Sequence, residues 1–211
     1  MKKLAFGILV AGALSANANL VVNGSFEDNG SNVYANNGSW QVYNSINGWA
    51  NSDKVEIQDN GLFGPAAVAA EGHYWLELDT YNNYSIAQGL VTTAGQNYTL
   101  SFAYAGRPDA PAYDDAFSLN LNGTITNLAA GPSVPGGALD WTYASYTFTS
   151  TGADNISFAA GGPSDGYGAL LDNVSLEAAP AAVPEPATFG LFGMGLLALF
   201  GFSKARASRK A

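Results

Sequence analysis

Tyr98-Thr99-Leu100-Ser101-Phe102-Ala103-Tyr104 is the stretch whose reading decides the fold. Large apolar residues recur at every second position and small or hydroxylated ones fill the gaps, which is the period of a strand with one buried face. Phe117, Leu119 and Leu121 repeat the pattern against Ser118 and Asn120, and Asn122-Gly123 then supplies the positive φ angles of a two-residue hairpin into Thr124 to Leu128. Strands are likewise expected over Leu20 to Phe26, Lys54 to Ile57, Tyr74 to Asp79, Ser85 to Leu90, Trp141 to Thr149, Asn155 to Ala160 and Ala169 to Glu177. No stretch of this region keeps a helical period for three turns. The expected fold is therefore all-β, an antiparallel β-sandwich of jelly-roll type, with a closed barrel as the alternative. Gly106 to Asp115 and Ala129 to Leu139 are the long connections, where function tends to sit on a rigid sandwich.

The two ends have a different character. Lys2 and Lys3, the uncharged run Leu4 to Leu14 and Ala16-Asn17-Ala18 make the three parts of a signal peptide, so signal peptidase is expected to cut near Asn19. Past the middle, Val183-Pro184-Glu185-Pro186 precedes seventeen uncharged residues, 187–203, and then Lys204, Arg206, Arg209 and Lys210. Such a run is at the lower edge of the roughly 17–25 residues that cross a bilayer, and its cationic flank would stay cytoplasmic. The expected organisation is a signal peptide over 1–18, a β-sandwich over 19–178, a linker over 179–186, a transmembrane sorting helix over 187–203 and a basic tail over 204–211. The order Pro-Glu-Pro, short apolar helix, basic end resembles the PEP-CTERM sorting signal of Gram-negative bacteria. That resemblance implies processing by an exosortase-type enzyme, a transient inner-membrane anchor, and a surface or extracellular destination linked to exopolysaccharide and biofilm.

Six of the eight Lys and Arg residues belong to these ends. The segment 19–182 keeps only Lys54 and Arg107 against sixteen Asp and Glu, a formal charge of −14. A nucleic acid or anionic lipid partner is excluded on sign, whereas cations would be attracted. With no cysteine and one histidine, thiol catalysis and thiolate zinc sites are excluded, and a Ser-His-Asp triad would have to use His73, for which a structural role is the better reading. Phosphate loops, dinucleotide fingerprints and zinc-protease helices are also missing from the sequence.

In the last expected strand Leu170, Asp172, Val174 and Leu176 fall on one face, which puts a carboxylate in the register of core residues. A buried carboxylate must be hydrogen-bonded, paired with a cation or bound to a metal. Ca²⁺ held by Asp172 and Glu27 is one solution; the other is that Asp172 sits at the strand's edge and caps a turn, or bonds nearby backbone N–H groups. The series Asn19-Leu20-Val21-Val22-Asn23-Gly24-Ser25-Phe26-Glu27, Gly48-Trp49, Gly95 with Tyr98 to Phe102, Trp141 and Leu171-Asp172-Asn173-Val174-Ser175-Leu176 is similar to the galactose-binding-like sandwich families, which include carbohydrate-binding modules. The resemblance implies a structural Ca²⁺ joining Glu27 to Asp172, and carries over no sugar-contacting residue.

Sugar binding needs an aromatic plate for a pyranose and polar groups for its hydroxyls. Trp75, Glu77 and Asp79 share one strand face and offer that combination, with Tyr81, Tyr84, Arg107 and Tyr113 as further candidates, although each aromatic taken alone reads better as core. Asp114-Asp115 is expected in a solvated loop. Sixteen carboxylates always contain some pair, so a glycosidase reading has no support without geometry. The expected function is a non-catalytic, calcium-stabilised surface or matrix protein that binds extracellular polysaccharide. The alternatives are a structural or adhesive matrix protein without specific sugar binding, and a small glycan hydrolase.

Overall fold

The computed structural model describes residues 18–29, 38–110, 115–131 and 137–179. The expected transmembrane helix and basic tail, and the signal peptide but for its last residue, lie outside the described residues. Eleven strands run β1 (Trp40–Tyr43), β2 (Ala50–Asn51), β3 (Val55–Asp59), β4 (Tyr74–Glu77), β5 (Ser85–Leu90), β6 (Asn97–Ala105), β7 (Ala116–Leu121), β8 (Thr124–Ala129), β9 (Thr142–Thr149), β10 (Asp154–Ala160) and β11 (Leu170–Ala178). No helix occurs among the described residues. The strands form a six-stranded sheet, β1-β3-β4-β11-β6-β9, and a five-stranded sheet, β2-β5-β10-β7-β8, with every strand pair antiparallel. Each sheet has two open edges, so the chain is a sandwich and the barrel alternative falls.

Period-two patterning puts one side chain of each pair between the sheets. Leu76, Leu100 and Phe102 of the larger sheet meet Ile86, Leu119, Ile156 and Phe158 of the smaller in one buried cluster. Phe102 is its hub, edge-on to Phe158 at 5.0 Å between ring centroids and stacked on Tyr146 at 6.1 Å. Asn122 (φ 54°) and Gly123 (φ 85°) make the hairpin between β7 and β8 as their sequence requires.

Three features depart from the expected pattern. The apolar run Leu20 to Phe26 is a turn, not a strand, with the side chains of Asn19 and Asn23 taking up backbone amides in place of a ladder. Asn19 Oδ1 accepts the amides of Val21 and Leu176, both at 2.9 Å, and Asn23 Oδ1 accepts that of Asp28 at 2.9 Å. Asn23 (φ 53°) and Phe26 (φ 58°) take left-handed backbone, which swings the Phe26 ring into the core against Trp49 at 5.8 Å. Gly24 is required there, since a Cβ would lie 1.9 Å from the carbonyl oxygen of Val174.

The strands β1 and β2 were not expected, because their surroundings are rich in Asn, Gly and Ser without clear alternation. Finally, β11 carries a bulge between Asp172 and Ser175, with Asn173 at φ 50°, that inverts the side-chain alternation. Leu171, Val174 and Leu176 face the inter-sheet core, whereas Leu170 packs with Ala105 and Trp75 on the opposite face of the sheet. Asp172, next to Leu171, therefore does not share a face with Val174 and Leu176, yet it is fully buried.

Phe158→Ala should lower the free energy of urea unfolding by about 3–5 kcal/mol through the cavity it opens, whereas Val91→Ala, at 90% exposed, should move it by less than about 0.5 kcal/mol.

Candidate functional site

The outward face of the six-stranded sheet is where the polar chemistry collects. Pairing aligns two transverse rows on that face: Trp40, Gln58 and Trp75 in one, and Glu56, Glu77, Leu170 and Ala105 in the next. The segment 60–71 folds over part of it, fixed by Gly61 N–H to the Ala67 carbonyl at 2.8 Å and by Ala69 N–H to Asn60 Oδ1 at 2.7 Å. This cover lays Phe63 on Trp75, with centroids 6.4 Å apart, and Trp141 closes the other side of Trp75 edge-on at 6.4 Å while donating its indole N–H to the Val68 carbonyl at 2.8 Å. Trp75 is thus fully buried, a core residue of a second apolar cluster with Ala67, Ala105 and Leu170, and not the open sugar plate expected for it.

Beside this cover the face opens into a cleft of about 500 Å³ lined by Trp40, Glu56, Phe63, Thr80, Tyr81, Arg107, Asp109, Asp165 and Tyr167 among others. Its floor is a hydrogen-bonded chain. Trp75 Nε1–H donates to Gln58 Oε1 at 2.8 Å, and Gln58 Nε2–H donates to Glu56 Oε1 at 2.8 Å, so the core indole orients a carboxylate at the cleft. Behind it, Glu77 Oε1 accepts the Asp79 amide at 3.2 Å and lies 3.9 Å from Arg107 Nη1. Asp79 Oδ2 in turn accepts the amides of Asp165 (3.1 Å) and Gly166 (3.3 Å), tying the 165–167 loop to the end of β4. Gly168 permits this approach, because a Cβ there would sit 2.8 Å from the Asp79 amide nitrogen.

Arg107 organises the wall. Its guanidinium packs over the rings of Phe63 (5.4 Å to the centroid) and Tyr167 (4.8 Å), and its fork donates to both oxygens of Asp109 at 3.0 and 3.1 Å. Nη1 also donates to the Gly166 carbonyl at 3.3 Å, and the backbone amide of Arg107 bonds Asp115 Oδ1 at 3.0 Å. Asp115 is fully buried there, not in the solvated loop expected of it: it acts as an internal acceptor for the turn after β6.

The electrostatics follow from burial. Desolvation pushes the Glu77 carboxyl well above the usual range; the neighbouring Glu56 adds to the rise and the Arg107 charge opposes it. Glu56 is raised by burial against the bond from Gln58, and Asp79 by burial against the two loop amides. Burial works against the charge on Arg107, but Asp109, Glu77 and Glu56 outweigh it and raise its pKa.

Of the sequence candidates, Tyr81 and Arg107 line the cleft, while Glu77 and Asp79 lie beneath its walls as fully buried groups. Tyr84 does not line it; its hydroxyl accepts from Asn82 Nδ2 at 3.0 Å away from the cleft. Tyr113 lies outside the described residues. Sequence reading missed Trp40, Phe63 and Tyr167, which come from three distant segments; the one available signal was that each stands among Gly, Ser and Asn, as exposed rings do. Trp40 (54% exposed), Tyr81 (57%) and Tyr167 (39%) are open rings around a polar floor.

Glu27 and Asp172 meet elsewhere, around residues 70–74. Glu27 Oε1 accepts the amides of His73 (2.7 Å) and Tyr74 (2.9 Å), and Gly72 leaves room for the carboxylate, since a Cβ would come 2.3 Å from it. Asp172 Oδ2 accepts the Glu71 amide at 2.9 Å and Oδ1 the Asn173 amide at 2.6 Å. Burial nevertheless pushes the Asp172 carboxyl up to about 8, against these amides and that of Ala70, and the nearby Glu27 charge adds to the rise. Among the described residues no group of three or more His, Cys, Asp or Glu side chains forms a metal cluster here. Two carboxylates are hard oxygen donors of the kind Ca²⁺ takes, and the groups bonded to them here are backbone amides.

The fold is an antiparallel β-sandwich, and its likeness to solved proteins is one of fold. TmCBM61, solved in complex with β-1,4-galactotriose, has the same fold: TM-score 0.50 at 18% identity, covering 77% of this chain and 99% of that one. The chain belongs to the family described as "Protein of unknown function (DUF642)", whose model matches residues 19–177, and residues 182–207 match the PEP-CTERM protein-sorting motif, which marks an exported protein. Among curated relatives it is 31% identical over 180 residues to Halomucin of Haloquadratum walsbyi, and 31% identical over 161 residues to the multifunctional-autoprocessing repeats-in-toxin of Vibrio vulnificus. The matches cover 81% and 74% of this chain but only 2% and 3% of those proteins, so the likeness is to one small part of each.

In EDTA, the metal-free native state should hold a proton on Asp172 that the unfolded chain has released above its ordinary 3.8. Stability from this group is then full below that value and is lost as pH rises through about 8. Urea midpoints measured from about pH 5 to pH 9 should fall with pH, and Asp172→Asn should flatten that slope.

Proposed function

We propose that this protein is an exported, non-catalytic glycan-binding module whose cleft takes extracellular polysaccharide. The observation that carries the reading is the placing of three exposed rings, Trp40, Tyr81 and Tyr167, around a floor of hydrogen-bonding side chains in one cleft. Exposed rings grouped at a concavity signal ligand contact more than solvent-facing packing. Apolar pyranose faces suit the rings, and hydroxyls suit Glu56, Thr80 and Asp165. The fold shared with a module bound to a galactose trimer supports the same assignment, and the sorting motif supports presentation at the cell surface after exosortase processing, with the tail as a transient membrane anchor and biofilm polysaccharide as the natural setting.

Ca²⁺ is part of this proposal as a structural ion held by Glu27 and Asp172. It would supply the positive charge that the buried carboxyl of Asp172 lacks, and so tie the N-terminal turn to the last strand. Glu56 and Glu77 stand opposite one another on β3 and β4, and for that reason the hydrolase reading is worth a direct check: incubation with a bound polysaccharide should leave its chain length unchanged.

In affinity electrophoresis through gels containing soluble β-galactan, Trp40→Ala and Tyr81→Ala should each weaken retardation about tenfold, as expected for loss of a stacking ring, with unchanged unfolding midpoints. Equal retardation of wild type and both variants would remove the cleft from the function.

Thermal unfolding should shift upward when Ca²⁺ replaces EDTA, by about 2.7 kcal/mol of added stability at a hundredfold excess over Kd. Asp172→Asn should abolish the shift; no shift in protein shown by elemental analysis to carry no metal would discard the ion.

A further inference from the structure

The proposed cleft has a sign. Apart from Arg107, every charged side chain lining it is acidic: Glu56, Asp109 and Asp165. Glu77 and Asp79 stand directly behind, both fully buried. Arg107 does not balance them for an incoming anion, because both arms of its fork are occupied by Asp109 and its faces are covered by Phe63 and Tyr167. A carboxylate on a ligand would have to displace Asp109 and enter a field set by the remaining acids.

The unmet hydrogen-bonding capacity has the same sense. Thr80 lines the cleft at 4% exposed, and its hydroxyl has no partner among the described residues. Glu77 Oε2 and Asp79 Oδ1, equally buried, have no donor either. Burial favours the proton-bearing form of those two carboxyls and they lie behind the lining, so the groups a ligand can reach are Glu56 and Asp165, whose ionised oxygens only accept, and the Thr80 hydroxyl, which accepts or donates. The exposed rings of Trp40 and Tyr81 add negative π faces at the rim, which also favour positive charge.

Resting on the glycan-binding reading above, we infer that the cleft selects chains of amino sugars with free ammonium groups, over neutral or N-acetylated chains, and rejects uronate chains. An ammonium offers three donors and a full charge to Glu56 and Asp165; an N-acetyl group removes the charge, and a uronate reverses it. A charge-assisted hydrogen bond is about twice as strong as a neutral one, so the preference should be about tenfold or more.

Calorimetric titration of the full-length protein at mildly acidic pH and low salt tests this with four probes: glucosamine hexamer, N-acetylglucosamine hexamer, galacturonate hexamer and hexalysine. We expect the glucosamine hexamer to bind at least about tenfold more tightly than its N-acetylated form, galacturonate to give no heat, and the preference to shrink at high salt as charges are screened. Asp165→Asn, in an exposed loop, should reduce the preference several-fold while keeping the acceptor for the Tyr167 amide; Glu56→Gln should do the same, checked by its unfolding midpoint. Equal or tighter binding of the N-acetylated or galacturonate hexamer would overturn the inference and leave glycan binding standing. Hexalysine as tight as glucosamine hexamer would overturn it as well, reducing the cleft to a general cation acceptor. If none of the three sugars bound, and β-galactan did not either, the glycan reading itself would fail.

Discussion

The buried guanidinium of Arg107 is the constraint on which the functional face depends. One cation with 11% of its side chain exposed answers Glu77 at 3.9 Å and Asp109 at 3.0 Å, and it holds the Gly166 carbonyl and two aromatic faces as well. Taking carboxylates out of water is costly unless a cation or a full set of donors meets them. Among the described ion pairs every one uses Arg107, so removing it would leave an acid layer with neither. The loop 165–167 and the cover 60–71 would also lose the piece they close on, since Tyr167 and Phe63 reach it from opposite sides.

The sandwich serves this layer by separating its two faces. Between the sheets lies an apolar cluster centred on Phe102 and Phe158, sufficient to hold the fold without disulfides. Outside the larger sheet lies a second, smaller cluster around Trp75, whose indole is the point where core packing is converted into polar orientation: its N–H fixes Gln58, and Gln58 fixes Glu56. The floor of the cleft is therefore set by strand register, while two of its rim rings, Tyr81 and Tyr167, are carried by loops and the third, Trp40, opens β1. That division gives a rigid acceptor surface with rings that can vary in sequence without disturbing the sheet.

How much of this was legible depends on the range of the interaction. The alternation at Tyr98 to Tyr104 and the Asn122-Gly123 turn are local, and the strands there stand where the pattern puts them. Leu20 to Phe26 has the apolar content of a strand, but Asn19 and Asn23 spend their side chains on nearby backbone, and turn chemistry wins over hydrophobicity. At Asp172 the alternation gave burial correctly for a mistaken reason, because the bulge after it reverses the faces and the lid over it is the segment around Glu71. Trp75, Glu77 and Asp79 do leave the inter-sheet core together, but whether that face is open depends on residues 60–71, which no period in β4 encodes. Trp40, Tyr81 and Tyr167 converge from a strand and two loops, 127 residues apart at the extremes, and such meetings are written in the topology rather than in any motif.

The central claim is that ligand contact occurs at the cleft on the outer face of the six-stranded sheet. The four tryptophans make it directly measurable, because their indole N–H signals in a ¹⁵N–¹H spectrum are separate reporters and only Trp40 is an exposed ring of the cleft. On titration with a glycan that binds, the Trp40 signal should move in a saturable way while that of Trp49, buried between the sheets, stays in place. Saturable movement elsewhere with Trp40 unmoved would contradict the account and place the binding surface on another face of the sandwich.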